Sequence, residues 1–167
     1  AAGEKGKLVV RHSRNILTEL SGHMGDACWA SKQMILDREN ISSLTFTDGA
    51  NKLLGSSLLI RAENKQKGKP GYLIIRGFNP LETYINSVDV RSFTDAVFGY
   101  VRELAAKEGL EPAIVIDAVG SASTNRPALF LELDKRRKQM KKVSAGELDD
   151  KQTQFNGYHI NKHIYKI

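Results

Sequence analysis

The sequence predicts an α/β (α+β) domain, a mixed and largely antiparallel sheet flanked by helices. Three observations carry that expectation. Three β-rich runs, Ile41–Thr47, Lys52–Ala62 and Tyr72–Ile75, follow one another across short turn-bearing links, the pattern of an antiparallel meander. From Val90 the apolar residues Val90, Phe93, Val97, Val101, Leu104 and Ala105 recur at the three-and-four spacing of one helical face. Directly after that helix, Ala113–Ile116 is a short branched apolar run, so strand, helix and strand form a right-handed crossover onto one sheet.

Taken in order, Lys7–Arg11 reads as a first strand and Ser13–Leu20 as a short helix or turn with Ile16, Leu17 and Leu20 on one side. Ser21–Trp29 is irregular, and Met34–Leu36 reads as strand or short helix. Ile41, Leu44 and Phe46 pattern the next strand, with Asp48-Gly49 as its turn. Gly55 falls inside the following strand and predicts a bulge or a close backbone approach. The loop Glu63–Pro70 leads into Tyr72–Ile75, which Asn79-Pro80 is expected to close, and a polar turn follows. Asp89 or Ser92 can cap the long helix, and Gly109 can end it. After Ile116, a small-residue loop from Gly120 reaches Pro127, which suits the first turn of a helix over Ala128–Lys141 capped by Asn125 or Thr124. Leu129, Leu133 and Met140 lie along its apolar face. Val143–Asp150 reads as a loop and Phe155–Ile167 as a last strand.

At 167 residues the chain reads as one domain, 1–167. It opens at Ala1 without Met, which leaves room for a longer parent. The hydrophobic share of 41% and charged share of 26% are those of ordinary globular proteins, and no apolar run approaches the roughly 20 residues of a membrane span. One cysteine excludes an internal disulfide and points to a cytoplasmic setting. The net charge of +6 gathers at Lys65–Lys69 and Lys135–Lys142, without the interleaved aromatic residues that stack bases.

Two loops are expected on the same side of the sheet, one after Tyr72–Ile75 and one after Ala113–Ile116. They would bring Arg76, Asn79, Asp117, Thr124, Asn125 and Arg126 together, a set suited to an anionic group such as a carboxylate or phosphate; capping of the next helix by Ser123–Asn125 is the competing reading.

The order of elements resembles that of the GNAT acetyltransferase superfamily over roughly Leu8 to Ile167, in topology and size rather than in motif. The resemblance implies acetyl-CoA or another acyl-CoA as cofactor and a small-molecule or peptide amine as acceptor. It implies a strand over Gly71–Phe78 that splays from Ala113–Asp117 beside the helix start at Val88–Phe93. Arg76, Gly77, Phe78, Asn79, Arg91, Asn125 and Arg126 would then line the cofactor. The family's glycine-bearing loop has no counterpart here: the helix start carries Asp89, which repels phosphate, and Arg91, which offsets it, with no glycine before Gly99.

For the chemistry, a base must deprotonate the amine, and Asp117, Glu82 or a histidine acting through water are the candidates. Tyr158 or Tyr165 would protonate the leaving thiolate. Cys28, near His23, is the alternative nucleophile, with burial beside Trp29 as its structural reading. No metal is expected. His159 and His163 on one strand would stand about 13 Å apart, too far for one ion, and only a site adding His23 and Cys28 would hold zinc. The runner-up function is a non-enzymatic module using Arg61, Lys65–Lys69 and Lys135–Lys142 against nucleic acid or an acidic partner.

Overall fold

The computed structural model describes residues 6–14, 38–117, 123–155, 158–160 and 162–167. In chain order the elements are β1 (Val9–Ser13), β2 (Ile41–Thr47), β3 (Leu53–Ala62), β4 (Tyr72–Pro80), α1 (Glu82–Ile85), α2 (Val90–Glu108), β5 (Glu111–Ile114), α3 (Pro127–Arg137), β6 (Lys142–Ser144), a 3-10 turn at Ala145–Glu147, α4 (Asp150–Thr153), β7 (Gln154–Phe155), β8 (Tyr158–His159) and β9 (His163–Lys166). Seven strands form one sheet in the order β1-β2-β3-β4-β5-β9-β6. Among the described strands only β4 and β5 pair in parallel, because α2 returns the chain between them. The short strands β7 and β8 pair separately.

The expected meander is present, and α2 begins and ends where its caps predict. Asp89 accepts the Ser92 amide, and Gly109 sits at the C-cap with its N–H on the last turn. One face of α2 drives Phe93, Val97, Phe98, Val101 and Ala105 into a core with Leu59, Leu73, Ile75, Phe78, Ile114, Leu129 and Leu133. Each such side chain contributes roughly 1.5–3 kcal/mol on burial. The opposite face of the sheet carries Ile41, Leu58, Ile60, Tyr72 and Ile74 against Leu148, Ile160 and Ile164.

Four expectations need correction. Asn79-Pro80 does end β4, but β4 runs on past Ile75 to reach it, with Asn79 and Pro80 paired with Ser56 and Gly55. The reason is Gly55, whose missing side chain lets the Pro80 backbone come close enough that a Cβ there would stand 2.4 Å from Pro80 Cα. The span 143–150 is not a loop but holds part of β6, the 3-10 turn and the start of α4, which Asp149 caps through Lys151 and Gln152. The tail 155–167 is not one strand. It breaks into pieces of β7, β8 and β9, so His159 and His163 lie in different strands of different sheets. Finally, α3 starts with Arg126 rather than Asn125 or Thr124 as N-cap, and it stops at Arg137.

On the helical side, Arg61 grips the Glu108 carboxylate with Nε and Nη2, each at 2.6 Å, and donates from Nη1 to Ser42 Oγ at 2.8 Å. Ser42 Oγ also shares a 2.8 Å hydrogen bond with His12 Nε2, tying β1, β2, β3 and α2 together. Burial and the Arg61 charge hold the His12 pKa below 6.5, and the Arg61 hydrogen bond holds Glu108 below its ordinary range. The unfolded chain therefore binds protons more readily than the folded one at both groups. Stability should be full above about pH 6.5, fall as His12 is forced to protonate below it, and fall again when Glu108 protonates. Urea midpoints across this range should show the loss, and a His12→Gln variant should flatten its upper part; an unchanged profile in that variant would remove His12 as its cause.

Candidate functional site

The parallel pairing of β4 with β5 runs from Tyr72↔Glu111 to Ile75↔Ile114. Its last bond is from Val115 N–H to the Ile75 carbonyl at 2.9 Å. Beyond that point β4 continues for five residues without β5. The two strands part at the level where α2 begins to cross back over the sheet.

The far end of β4 is reshaped by a bulge. Ser56 opposes Asn79 while Leu58 opposes Arg76, so two steps of β3 face three of β4. Gly77 absorbs the extra residue at φ +63°, a left-handed conformation that suits glycine. The bulge reverses the alternation of the strand. Before it, Leu73 and Ile75 face the α2 core; after it, Phe78 does, and Asn79 turns to the opposite face.

A strap formed by Ser123–Arg126 takes the place of β5 along this end of β4. The Phe78 amide donates to the Ser123 carbonyl at 2.8 Å. Asn79 Oδ1 accepts from the Asn125 amide at 2.8 Å and from Thr124 Oγ1 at 3.2 Å. Arg126 Nε donates to the Pro80 carbonyl. The expected convergence of Asn79, Thr124, Asn125 and Arg126 is therefore present, and Gly77 and Phe78 belong to it through the backbone. Arg76 is buried on the face away from α2 and donates from Nη2 to the His159 carbonyl at 3.1 Å.

Two predicted members stand elsewhere. Asp117, exposed at the end of the chain that continues β5, lines a pocket of about 140 Å³ with Ile116, Arg137, Lys162, His163 and Tyr165; no strap residue lines it. Arg91 is exposed on the first turn of α2 and lines a groove with Asp95, Glu132 and Arg136; its carbonyl accepts from Arg136 Nη2. At that helix start the Asp89 carboxylate takes the Ser92 amide and hydroxyl, which draws its pKa down. Glu82 is exposed at the start of α1. Cys28 and His23 lie outside the described residues, as does the side chain of Tyr158. Among the described residues no group of three His, Cys, Asp or Glu side chains is placed to hold a metal.

Sequence reasoning passed over Thr45 and Ser56, which lie in a row with Asn79 across β2, β3 and β4, and read Ser123 only as a cap. Their hydroxyls are hidden from solvent and find no partner among the described residues. The available signal was a run of small polar residues in β2 and β3 at positions where alternation calls for apolar side chains. The two basic clusters meet at the other end of the sheet, where Lys69, Lys141, Lys142 and Lys166 line a pocket of about 350 Å³ together with Glu111 and Glu147. Lys166 pairs with Glu111, and Lys65 with Asp150.

Among solved structures, the Arabidopsis thaliana protein NAA60 in complex with acetyl-CoA matches with a TM-score of 0.52 at 15% identity, over 96% of this chain and 98% of that one. The fold is that of the GNAT acetyltransferases. A Trypanosoma brucei acetyltransferase (TM-score 0.45, 17% identity, 67% of this chain and 83% of that one) is also similar. So is the Vibrio cholerae spermidine/spermine N-acetyltransferase SpeG in complex with manganese ions (TM-score 0.48, 10% identity, 98% and 92%). No protein-family model and no curated protein matches the chain. Among the described residues no helix is long and apolar enough to cross a membrane.

Proposed function

We propose that this chain is a divergent acyl-CoA-dependent N-acyltransferase acting on an amine. The observation that supports the reading is the parting of β4 from β5 beyond Ile75 and Ile114, within a fold shared with the Arabidopsis thaliana protein NAA60, which is solved in complex with acetyl-CoA. Fold alone does not assign chemistry, so the residues must be weighed against the cofactor. In this reading its acyl arm would lie at Arg76 and Gly77, where β4 has left β5 after the Ile75 carbonyl and before Ser123–Arg126 takes over the strand edge at Phe78. At the diphosphate end the chain departs from the family: Asp89 already uses amides of the helix start that would otherwise meet an anion, and Arg91 is the cation left to compensate.

The bound cofactor would supply an activated thioester. The protein's tasks are to hold the amine beside it and to take the amine's proton. Asp117, at the end of β5, is the proposed proton acceptor, and Tyr165 in the same pocket can return a proton to the leaving sulfur. Cys28 and Tyr158 remain candidates of the sequence.

Acetyl-CoA at about 100 times its dissociation constant should stabilise the protein by about 2.7 kcal/mol, a rise of several degrees in melting temperature. No rise at millimolar acetyl-CoA would end the cofactor assignment. With an active acceptor in hand, Asp117→Asn should lower kcat by about 100-fold or more while leaving acetyl-CoA affinity unchanged. Wild-type turnover in that variant would move the base elsewhere.

A further inference from the structure

The face of the sheet away from α2 changes character along its strands. At one end it is apolar, with Ile41, Ile60, Tyr72 and Ile74. At the other end Thr45, Ser56 and Asn79 occupy the equivalent positions. Thr45 is in step with Ile41 along β2, Ser56 with Leu58 and Ile60 along β3, and Asn79 follows Phe78 beyond the bulge. They are direct neighbours across three strands, Thr45 opposite Ser56 and Ser56 opposite Asn79, so their side chains stand about 5 Å apart. Ser123 holds the Phe78 amide through its carbonyl, one residue before Asn79, where β4 and β5 have parted.

The polar atoms of this row are hidden and, among the described residues, unsatisfied, although Thr45 as a whole is half-buried. Ser56 is 0% exposed, and Asn79 and Ser123 are each 1% exposed. Thr45 Oγ1, Ser56 Oγ, Asn79 Nδ2 and Ser123 Oγ find no hydrogen-bond partner among the described residues. Each orphaned group costs roughly 1–3 kcal/mol, and a sheet face with only a structural role would carry valine or leucine there. The polarity of the row is fixed as well. Asn79 Oδ1 is engaged by the Asn125 amide, a group that can only donate, so the opposite end of the same side chain is the NH2. An NH2 that can only donate, beside hydroxyls that are free to donate with it, suits an oxygen acceptor.

We propose that this row binds the carbonyl or carboxylate oxygen of an amino acid or peptide whose amine is the group to be acylated. Naming that molecule the acceptor rests on the acyltransferase reading; the oxygen site itself does not. A polyamine, which offers no oxygen, does not satisfy the row.

The test is a titration of 15N-labelled protein, without acetyl-CoA, followed at the Asn79 side-chain NH2 signals, which are identified by their loss in Asn79→Asp. L-alanine or L-alanyl-L-alanine should move these signals saturably, and which of the two binds more tightly separates a free amino acid from a peptide end. Spermidine should leave them in place. Ser56→Ala should keep or raise the melting temperature, because it removes an unsatisfied hydroxyl, and should weaken the titration at least tenfold. The proposal is overturned if neither alanine probe moves the signals, if spermidine does so equally, or if Ser56→Ala binds as the wild type. Binding of an alanine probe by a protein that ignores acetyl-CoA would keep the oxygen site and remove the transferase reading.

Discussion

Gly55→Val should cost about 3 kcal/mol or more and lower the melting temperature by about 10 °C. A Cβ at this position would stand 2.4 Å from Pro80 Cα, 2.6 Å from the Asn79 carbonyl and 2.9 Å from the Leu81 amide nitrogen. All three are backbone atoms, so no side chain can swing aside to make room. The residue also sits at φ +139°, a conformation that a β-branched residue strongly resists. Relief would require β3 and β4 to separate at Gly55↔Pro80, breaking the 2.7 Å bond from Leu81 N–H to the Leu54 carbonyl. Asn79 and Pro80, the residues that hold the strap, would move with it. The variant should therefore release Ser123–Arg126 as well as destabilise the sheet. Urea denaturation reads the first effect and amide exchange at Asn125 the second; a wild-type midpoint would mean that the close approach of β3 and β4 does not exist in solution.

The same contact explains where the sequence was legible and where it was not. Elements defined by local pattern were readable: α2 from its apolar spacing, Asp89 and Gly109; the meander from branched residues and turns; the bulge or close approach from Gly55 itself. What Gly55 permits was not readable, because it needs a partner 25 positions away. Asn79-Pro80 looks like a strand stop by local rules and is a strand end only because Gly55 faces it. The short elements failed for the same reason. β6 has three residues and owes its existence to pairing with β9, and α4 is a single turn set by the Asp149 cap. At the site, Asn79, Thr124, Asn125 and Arg126 were legible as a group since two loops were expected at one sheet edge. Arg91 was grouped with the cofactor from its place at the helix start alone; that its first turn also packs toward α3, with its carbonyl accepting from Arg136, needed the fold. The hydroxyls of Thr45 and Ser56 were missed because a small polar residue in a strand is silent until its neighbours are known, and Ser123 was read only as a cap.

Phe78→Ala should lower the unfolding free energy by about 3–5 kcal/mol, the larger value if the core around it fails to close. Phe78 is 0% exposed and is the only large side chain that β4 sends toward α2 beyond the bulge. It stacks on Phe93 at 5.5 Å and lies against Phe46 at 5.7 Å, while Phe93 meets Tyr84 edge-on at 5.7 Å. The cluster thus joins β2, β4, α1 and α2 just beneath the point where β4 and β5 separate. Removing the ring takes away the packing but leaves the Phe78 amide and its bond to Ser123, so the strap and the polar row should survive in the folded fraction. A Phe78→Ala, Phe93→Ala double variant should lose less than the sum of the two single losses, since residues in contact share the same cavity. Additive losses would show that the two rings do not pack on each other, and the gap between the strands would then lack the rigid floor that holding an acyl group beside an amine requires.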